Sequence, residues 1–274
     1  VVWKASVTLG FSATTGNSNV ISMSGGANIS RDDGKNRVAL VVDGVYGFSS
    51  VLAYSNPAAM MNMLVQSPSD VTSQQTTTAA FLNAKLRYDR FFTPNNSGYI
   101  AVLSGFDLPA SLQAKAEGQI GYARQLVKSP MHQLSGEIGY DFSYNRLIPP
   151  AMPPSTFETD VYIHSARLFL GYLLTVSTHS TLRASVEALI NLNGVFIGDR
   201  EVDPALATRV NGKFEFTTKI WKPLSFRAAF TARFNNAPAL NAVLNYAETV
   251  QTDQVRYNVP LDTLTELGLL LQFL

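Results

Sequence analysis

The chain has 274 residues, of which only 15% are charged against roughly 25% in an ordinary soluble domain, while 46% are hydrophobic. No run of 18 apolar residues occurs, which excludes a helical membrane protein, and Lys plus Arg at 21 nearly cancels Asp plus Glu at 20, which excludes the basic field of a nucleic-acid binder. With no cysteine there is no disulfide, thiol nucleophile or cysteine metal site.

The apolar residues are spaced at period two. Trp3, Ala5, Val7, Leu9 and Phe11 alternate with Lys4, Ser6, Thr8, Gly10 and Ser12, which predicts a strand with one apolar and one polar face. A break at 14–19 turns the chain into a second strand with Ile21, Met23, Ala27 and Ile29 on its apolar face. Val38, Leu40, Val42, Tyr46 and Phe48 give a third, and Ala80, Leu82, Ala84, Leu86 and Tyr88 a fourth. A weakly patterned strand near 98–106, apolar on both faces, is followed by clear ones through Leu112–Tyr122, Leu134–Tyr144, Leu168–Leu174, Leu182–Ile190, Val210–Ile220, Phe226–Phe234 and Leu267–Phe273. Twelve strands are expected.

Alternation alone does not separate a soluble barrel from a membrane one. Three features do. The strands run ten to fourteen residues, enough to cross a bilayer at a tilt. Their polar faces are rich in Ser, Thr, Asn, Gln and Gly, as a hydrated interior would be. Links near 32–36, 91–98, 127–133, 176–180 and 221–224 are short, whereas those near 49–76, 145–160, 193–204 and 235–258 are long; the links at 14–19 and 107–111, on the long side, are also short. Short turns opposite long loops predict an all-β, antiparallel transmembrane β-barrel of outer-membrane type, with one domain over 1–274 and both termini periplasmic. Aromatics gather near strand ends, Trp3, Tyr88, Phe91, Phe92, Tyr99, Tyr122, Tyr172 and Trp221 at the turn end and Tyr46, Phe48, Tyr144, Tyr162 and Phe234 at the loop end, as two interfacial girdles. Val1 enters directly into a strand, which reads as a mature chain whose targeting segment has been removed.

The segment Leu9-Gly10-Phe11-Ser12-Ala13-Thr14-Thr15-Gly16-Asn17-Ser18 and the later Tyr88-Asp89-Arg90-Phe91-Phe92 resemble the salt-induced outer membrane proteins, a group of single-chain barrels. These motifs cover about a tenth of the chain, and the resemblance implies location and fold while transferring no catalytic residue. Glu266, Gly268, Leu271 and Phe273 are similar to the terminal signal read by the barrel assembly machinery, with Leu274 after the aromatic as a departure. That machinery, outer-membrane lipid and lipopolysaccharide are the partners this implies.

The inward parity carries the candidate site. Lys4, Lys85, Arg87, Lys115, Arg167, Arg183, Arg209, Lys213, Lys219, Arg227 and Arg233 face Asp43, Asp89, Glu117, Glu137, Asp141, Glu187, Glu215 and Glu266. Eleven cations against eight anions predict either a channel with weak anion preference or a salt-bridged filling, because twelve strands lie between the filled eight-stranded and the open sixteen-stranded barrels. Arg209, Lys213, Arg227 and Arg233 are expected to form the densest positive wall.

Enzyme chemistry finds little support. His132, His164 and His179 are far apart; Asp160 and His164 share a face, a weak echo of an outer-rim protease pair, and His164 lacks the serine partner of a phospholipase site. No cofactor is expected. Asp199, Glu201 and Asp203 offer oxygens for a Ca²⁺ ion but read more simply as a solvated loop. In the first long loop Met60, Met61, Met63 and Leu64 make an apolar, Met-rich surface suited to a protein partner, and Ala237–Leu244 repeats the character. Two function classes follow: a passive channel, and a non-catalytic scaffold that docks a partner through these loops.

Overall fold

A sheet that is apolar on one face only, and whose edges must not be left in hydrocarbon, is stable when it closes on itself with that face outward. The computed structural model, which describes residues 1–14, 19–54, 71–149, 158–197, 200–237 and 260–273, has this arrangement. The barrel strands are β1 (Val2–Thr14), β2 (Asn19–Asp32), β3 (Asn36–Tyr54), β4 (Val71–Thr93), β5 (Asn96–Asp107), β6 (Leu112–Lys128), β7 (His132–Leu147), β8 (Asp160–Thr175) and β9 (Ser180–Asn191). After a short hairpin, β10 (Val195–Ile197) with β11 (Arg200–Val202), the barrel resumes with β12 (Arg209–Lys219), β13 (Leu224–Asn235) and β14 (Leu261–Phe273). All neighbours are antiparallel, β12 pairs with β9 across the inserted hairpin, and β14 closes on β1. The closed barrel of twelve strands matches the expected count.

Burial is inverted relative to a soluble protein. Leu9, Phe11, Met23, Val102, Ile120, Ile138 and Leu267 are among the most exposed large side chains, whereas Asp141, Ser143 and Ser165 are 0% exposed and Arg167 2%. The apolar face therefore meets lipid and the polar face fills the interior, the architecture of outer-membrane barrels.

At one end the connections are tight. Between β2 and β3, Gly34 supplies the positive φ of 84° that the turn requires. Asp32 Oδ1 accepts from the Gly34 amide at 2.7 Å and Asp33 Oδ1 from the Asn36 amide at 2.6 Å. These donors, the Asn36 amide foremost, hold the Asp33 carboxyl below its ordinary pKa, so its support of the turn is complete above the ordinary carboxylate range and is lost as pH falls through the lowered value.

The long-link end differs from expectation in two places. The link near 49–76 begins and ends in strand, with 55–70 outside the described residues: β3 runs on to Tyr54 and β4 begins at Val71, paired from Val51↔Gln74 to Tyr54↔Val71. Apolar alternation fades there, where Ser, Thr and Gln are frequent, and the backbone pairing of β3 with β4 continues without it. The link near 193–204 is no free loop either. It folds as β10 and β11 plus a 3₁₀ turn at Pro204–Ala207, and Val195, Ile197, Val202, Ala207 and Ala237 pack on the inward Leu147, Val161 and Ile163. The weak strand near 98–106 is β5, whose inward Tyr99 and Ala101 are buried while Ile100 and Val102 face lipid. Tyr99 thus leaves the girdle in which the sequence placed it.

The facing is testable by charge insertion. Ala228 faces lipid between Arg227 and Ala229, and Thr231 lines the interior. An arginine on the lipid face at mid-membrane costs about 2–4 kcal/mol. We expect Ala228→Arg to lower folding yield into lipid vesicles and Thr231→Arg to fold as the parent does; equal yields would reverse the facing.

Candidate functional site

The interior is divided. Across β4 to β9 the inward side chains form a packed ionic wall. Arg87 reaches Asp89 at 2.7 Å and Glu137 at 2.8 Å; Arg167 reaches Glu137 and Glu187 at 2.6 Å each. Two arginines and three carboxylates therefore form one chain of contacts. Tyr99 sits inside it, accepting a hydrogen bond from Arg167 Nη1 at 2.7 Å while the Arg87 guanidinium lies 4.2 Å above its ring. Arg167 also stacks on Phe169 at 5.3 Å.

Two glycines make room for that tyrosine. A Cβ at Gly121 would stand 2.6 Å from the Tyr99 hydroxyl and one at Gly139 2.7 Å from it, and both would press on neighbouring backbone at 2.5 Å. Gly121 pairs with Gly139 in register and with Tyr99 on the other side.

Toward the loop end the wall is polar and looser. Gln119 accepts from Lys85 at 3.3 Å and donates to Asp141 at 2.9 Å, and Ser143 donates to Asp141 at 2.6 Å. Arg209 approaches Asp141 only to 3.6 Å and Glu117 to 3.9 Å; Lys115 is the close partner of Glu117, at 2.9 Å. Asn145 Oδ1, Asn191 Nδ2 and Arg209 Nε are buried without a hydrogen bond among the described residues. Above this layer the β10–β11 hairpin covers the wall with apolar side chains.

The other side of the bore is open. A cavity of about 1200 Å³ runs along the inward faces of β1, β2, β3 and β12 to β14 and reaches the two ends of the packed wall on β4 to β9, where Lys85, Lys115, Ser135 and Arg183 border it; Arg209 borders it from β12. Its small polar residues, among them Ser6, Thr8, Ser24, Asn28, Thr217 and Thr231, keep it wide. Nine cations line it, Arg37, Lys4, Lys213, Arg227 and Arg233 with the four cations just named, against the five carboxylates Asp43, Asp107, Glu215, Asp262 and Glu266.

Of the nineteen charges expected in the lumen, Lys4, Asp43 and Glu266 border the cavity, Asp89 belongs to the packed wall and Lys219 is exposed at the end of β12; the other fourteen fall into two sets. Lys85, Lys115, Arg183, Arg209, Lys213, Glu215, Arg227 and Arg233 border the cavity, while Arg87, Glu117, Glu137, Asp141, Arg167 and Glu187 belong to the packed wall. The expected positive wall is partly neutralised: Arg227 holds Glu215 at 2.8 Å, and Arg233 lies 3.4 Å from Asp107 and 4.8 Å over the Phe81 ring. Reading the sequence missed Arg37, Asp107 and Asp262, which sit at strand ends where apolar alternation has stopped, and Tyr99, which looked like one more girdle aromatic.

The remaining candidates stay apart. His164 bonds Tyr140 and packs on Phe142, and Asp160 accepts from Tyr144 at 2.6 Å, so the two do not pair. Glu201 and Asp203 are exposed, Asp199 lies outside the described residues, and no group of three metal-ligating side chains occurs among the described ones. Met60, Met61, Met63 and Leu64 also lie outside them, as does 238–244 of the second apolar loop.

The model of one protein family, described as "Protein of unknown function, DUF481", matches residues 7–249. No curated protein matches the chain. Among solved structures the chain is similar to the translocator domain of the autotransporter NalP from Neisseria meningitidis, at 10% identity and a TM-score of 0.46 over 99% of this chain and 87% of that one. It is also similar to OmpT, an outer membrane protein of Vibrio cholerae, at 8% and 0.40 over 99% and 97%, and to a porin at 8% and 0.37 over 99% of each chain.

The wall predicts its own stability test. Removing one partner of a buried ion pair costs about 3–5 kcal/mol, because the other charge is left without compensation. Arg167→Met should therefore lower the urea midpoint of the vesicle-folded barrel strongly, since Glu137 and Glu187 both depend on it, whereas Lys213→Met, half-exposed at the cavity, should leave the midpoint nearly unchanged.

Proposed function

The chain belongs to the DUF481 family, and we propose that this member is a passive, non-enzymatic channel of the bacterial outer membrane with a weak preference for small anions. The observation that carries this reading is the charge of the open cavity. The anions Glu117, Glu137, Asp141 and Glu187 are drawn into the packed wall, which leaves the cavity with nine cations against five carboxylates. A surplus of fixed cations along an aqueous path raises the local concentration of anions and lowers that of cations. The likeness of residues 9–18 and 88–92 to the salt-induced outer membrane proteins supports the location. On this reading both termini and the short turns are periplasmic, lipopolysaccharide surrounds the loop end, and the β14 signal addresses the barrel assembly machinery.

A specific observation favours the second reading, a scaffold that docks a partner through the apolar loops: part of the bore is filled by the Arg87–Glu137–Arg167–Glu187 chain, with an apolar cluster toward the loop end. Electrical recording separates the two.

Arg183 and Lys213 are the informative positions. Arg183 is exposed to the cavity opposite Glu215 and closes no ion pair among the described residues; Lys213 is 3.8 Å from Glu215 with nearly half its side chain free. Substituting Arg227 instead would strip Glu215 of its 2.8 Å partner and mix folding with permeation. In planar bilayers under a salt gradient we expect an anion-selective reversal potential that shifts toward cations in Arg183→Gln/Lys213→Gln. The parent preference should fade between 0.1 and 1 M salt, over which the screening length falls from about 10 to about 3 Å. A reversal potential unmoved by the double substitution would remove this wall from the permeation path, and an unmodified barrel without conductance would leave the scaffold reading.

A further inference from the structure

At the turn end the lipid face carries three arginines. Arg31 on β2, Arg90 on β4 and Arg124 on β6 have the outward parity of Ile29, Tyr88 and Tyr122, and all three are exposed. A charge on this face is unfavourable at mid-membrane and is tolerated near the interface, so their depth decides what they do.

Register supplies the depth. The hydrogen-bonded row through Arg31 passes Val38, Tyr88, Ile100, Ile120, Tyr140 and Ala166. It then reaches Ile190 at the loop end of β9, so successive strands are staggered toward the turns. A barrel tilted by the usual angle staggers by about one residue per strand. Arg90 lies two residues turnward of this row two strands on from Arg31, and Arg124 four residues turnward four strands on. The three guanidinium groups therefore share one level. Trp3, paired with Arg31, and Tyr122, two residues from Arg124, lie beside them, which is the headgroup level of a bilayer.

Beside Arg124 the surface is hollow. It pairs with Gly136, whose missing side chain opens a groove of about 400 Å³ lined by Leu126, Ile138, Leu168, Leu170, Val186 and Ala188, with Arg124 and Tyr122 also bordering it. Arg124 makes no hydrogen bond or ion pair among the described residues, and Arg90 spends one nitrogen on Asn36 at 2.7 Å. A cation beside an apolar trough fits a phosphate joined to an acyl chain.

We propose that this rim binds anionic glycerophospholipid, with headgroup phosphates on Arg31, Arg90 and Arg124 and an acyl chain in the groove over Gly136. Binding depends on the barrel's outer face and not on conduction: a barrel that passes no current yet keeps the lipid preference upholds this proposal and sinks the channel. The test is native mass spectrometry of the full, detergent-purified barrel after incubation with phosphatidylglycerol or phosphatidylcholine of identical chains. Phosphatidylglycerol should be retained in preference, and Arg124→Gln alone should reduce its retention about fivefold, the factor a single cation contributes beside an anionic surface. Arg31→Gln/Arg90→Gln/Arg124→Gln should abolish the preference, and Gly136→Val, which fills the groove without touching charge, should weaken both lipids alike. Equal retention of the two lipids, a single variant indistinguishable from the parent, or displacement by millimolar inorganic phosphate would each overturn the headgroup site, the last by showing a free-anion site instead. Unaltered retention in Gly136→Val would overturn the acyl groove.

Discussion

Inside a bilayer an unpaired backbone amide has no water to turn to, so every other feature of this protein depends on β1 meeting β14. The seam is short. Among the described residues six pairs, from Ala5↔Phe273 to Gly10↔Gly268, complete the ring. The last pair is glycine on both sides, and a Cβ at Gly268 would meet the Leu9 carbonyl at 2.6 Å while one at Gly10 would meet Ser24 and the Leu267 carbonyl. The absent side chains let the two ends of the chain approach, and that approach is what turns a one-faced sheet into a structure with an inside.

Once an inside exists, its two halves obey different rules. On β4 to β9 long charged side chains satisfy one another through bidentate and stacked contacts, with Tyr99 wedged over Gly121 and Gly139. On β1 to β3 the inward residues are mainly serine, threonine, asparagine and glycine, too short to span the bore. Twelve strands leave more space than side chains fill and less than a wide pore needs, and the packing resolves this by filling one side.

Much of the fold was legible because period-two alternation is a direct image of a sheet with two solvents. Residues such as Leu182, Ala184, Val186, Ala188 and Ile190 name their face without reference to any other strand. β5 was harder to read because its inward Tyr99 and Ala101 are apolar, and they are so because they pack in the ionic wall on β4, β7 and β8. The pairing itself was illegible for a related reason. Arg87 and Glu137 are 50 residues apart on strands that are not neighbours, and only the curvature of the closed barrel brings them together. Facing can be counted along one strand; partners across a bore require its radius. The β10–β11 hairpin was hidden because three-residue strands carry too little alternation to register.

The unequal halves have a mechanical consequence. A cross-braced wall resists shear, since sliding β4 against β8 would stretch contacts of 2.6 and 2.8 Å at Glu137, whereas among the described residues no ion pair braces β1, β2 or β3. The six-pair seam is the edge of that unbraced stretch. Lateral pressure from the membrane would therefore ovalise the bore along the β1–β14 axis, widening or narrowing the aqueous crescent while the braced wall keeps its shape, and a barrel pulled apart would part first where its own ends were joined.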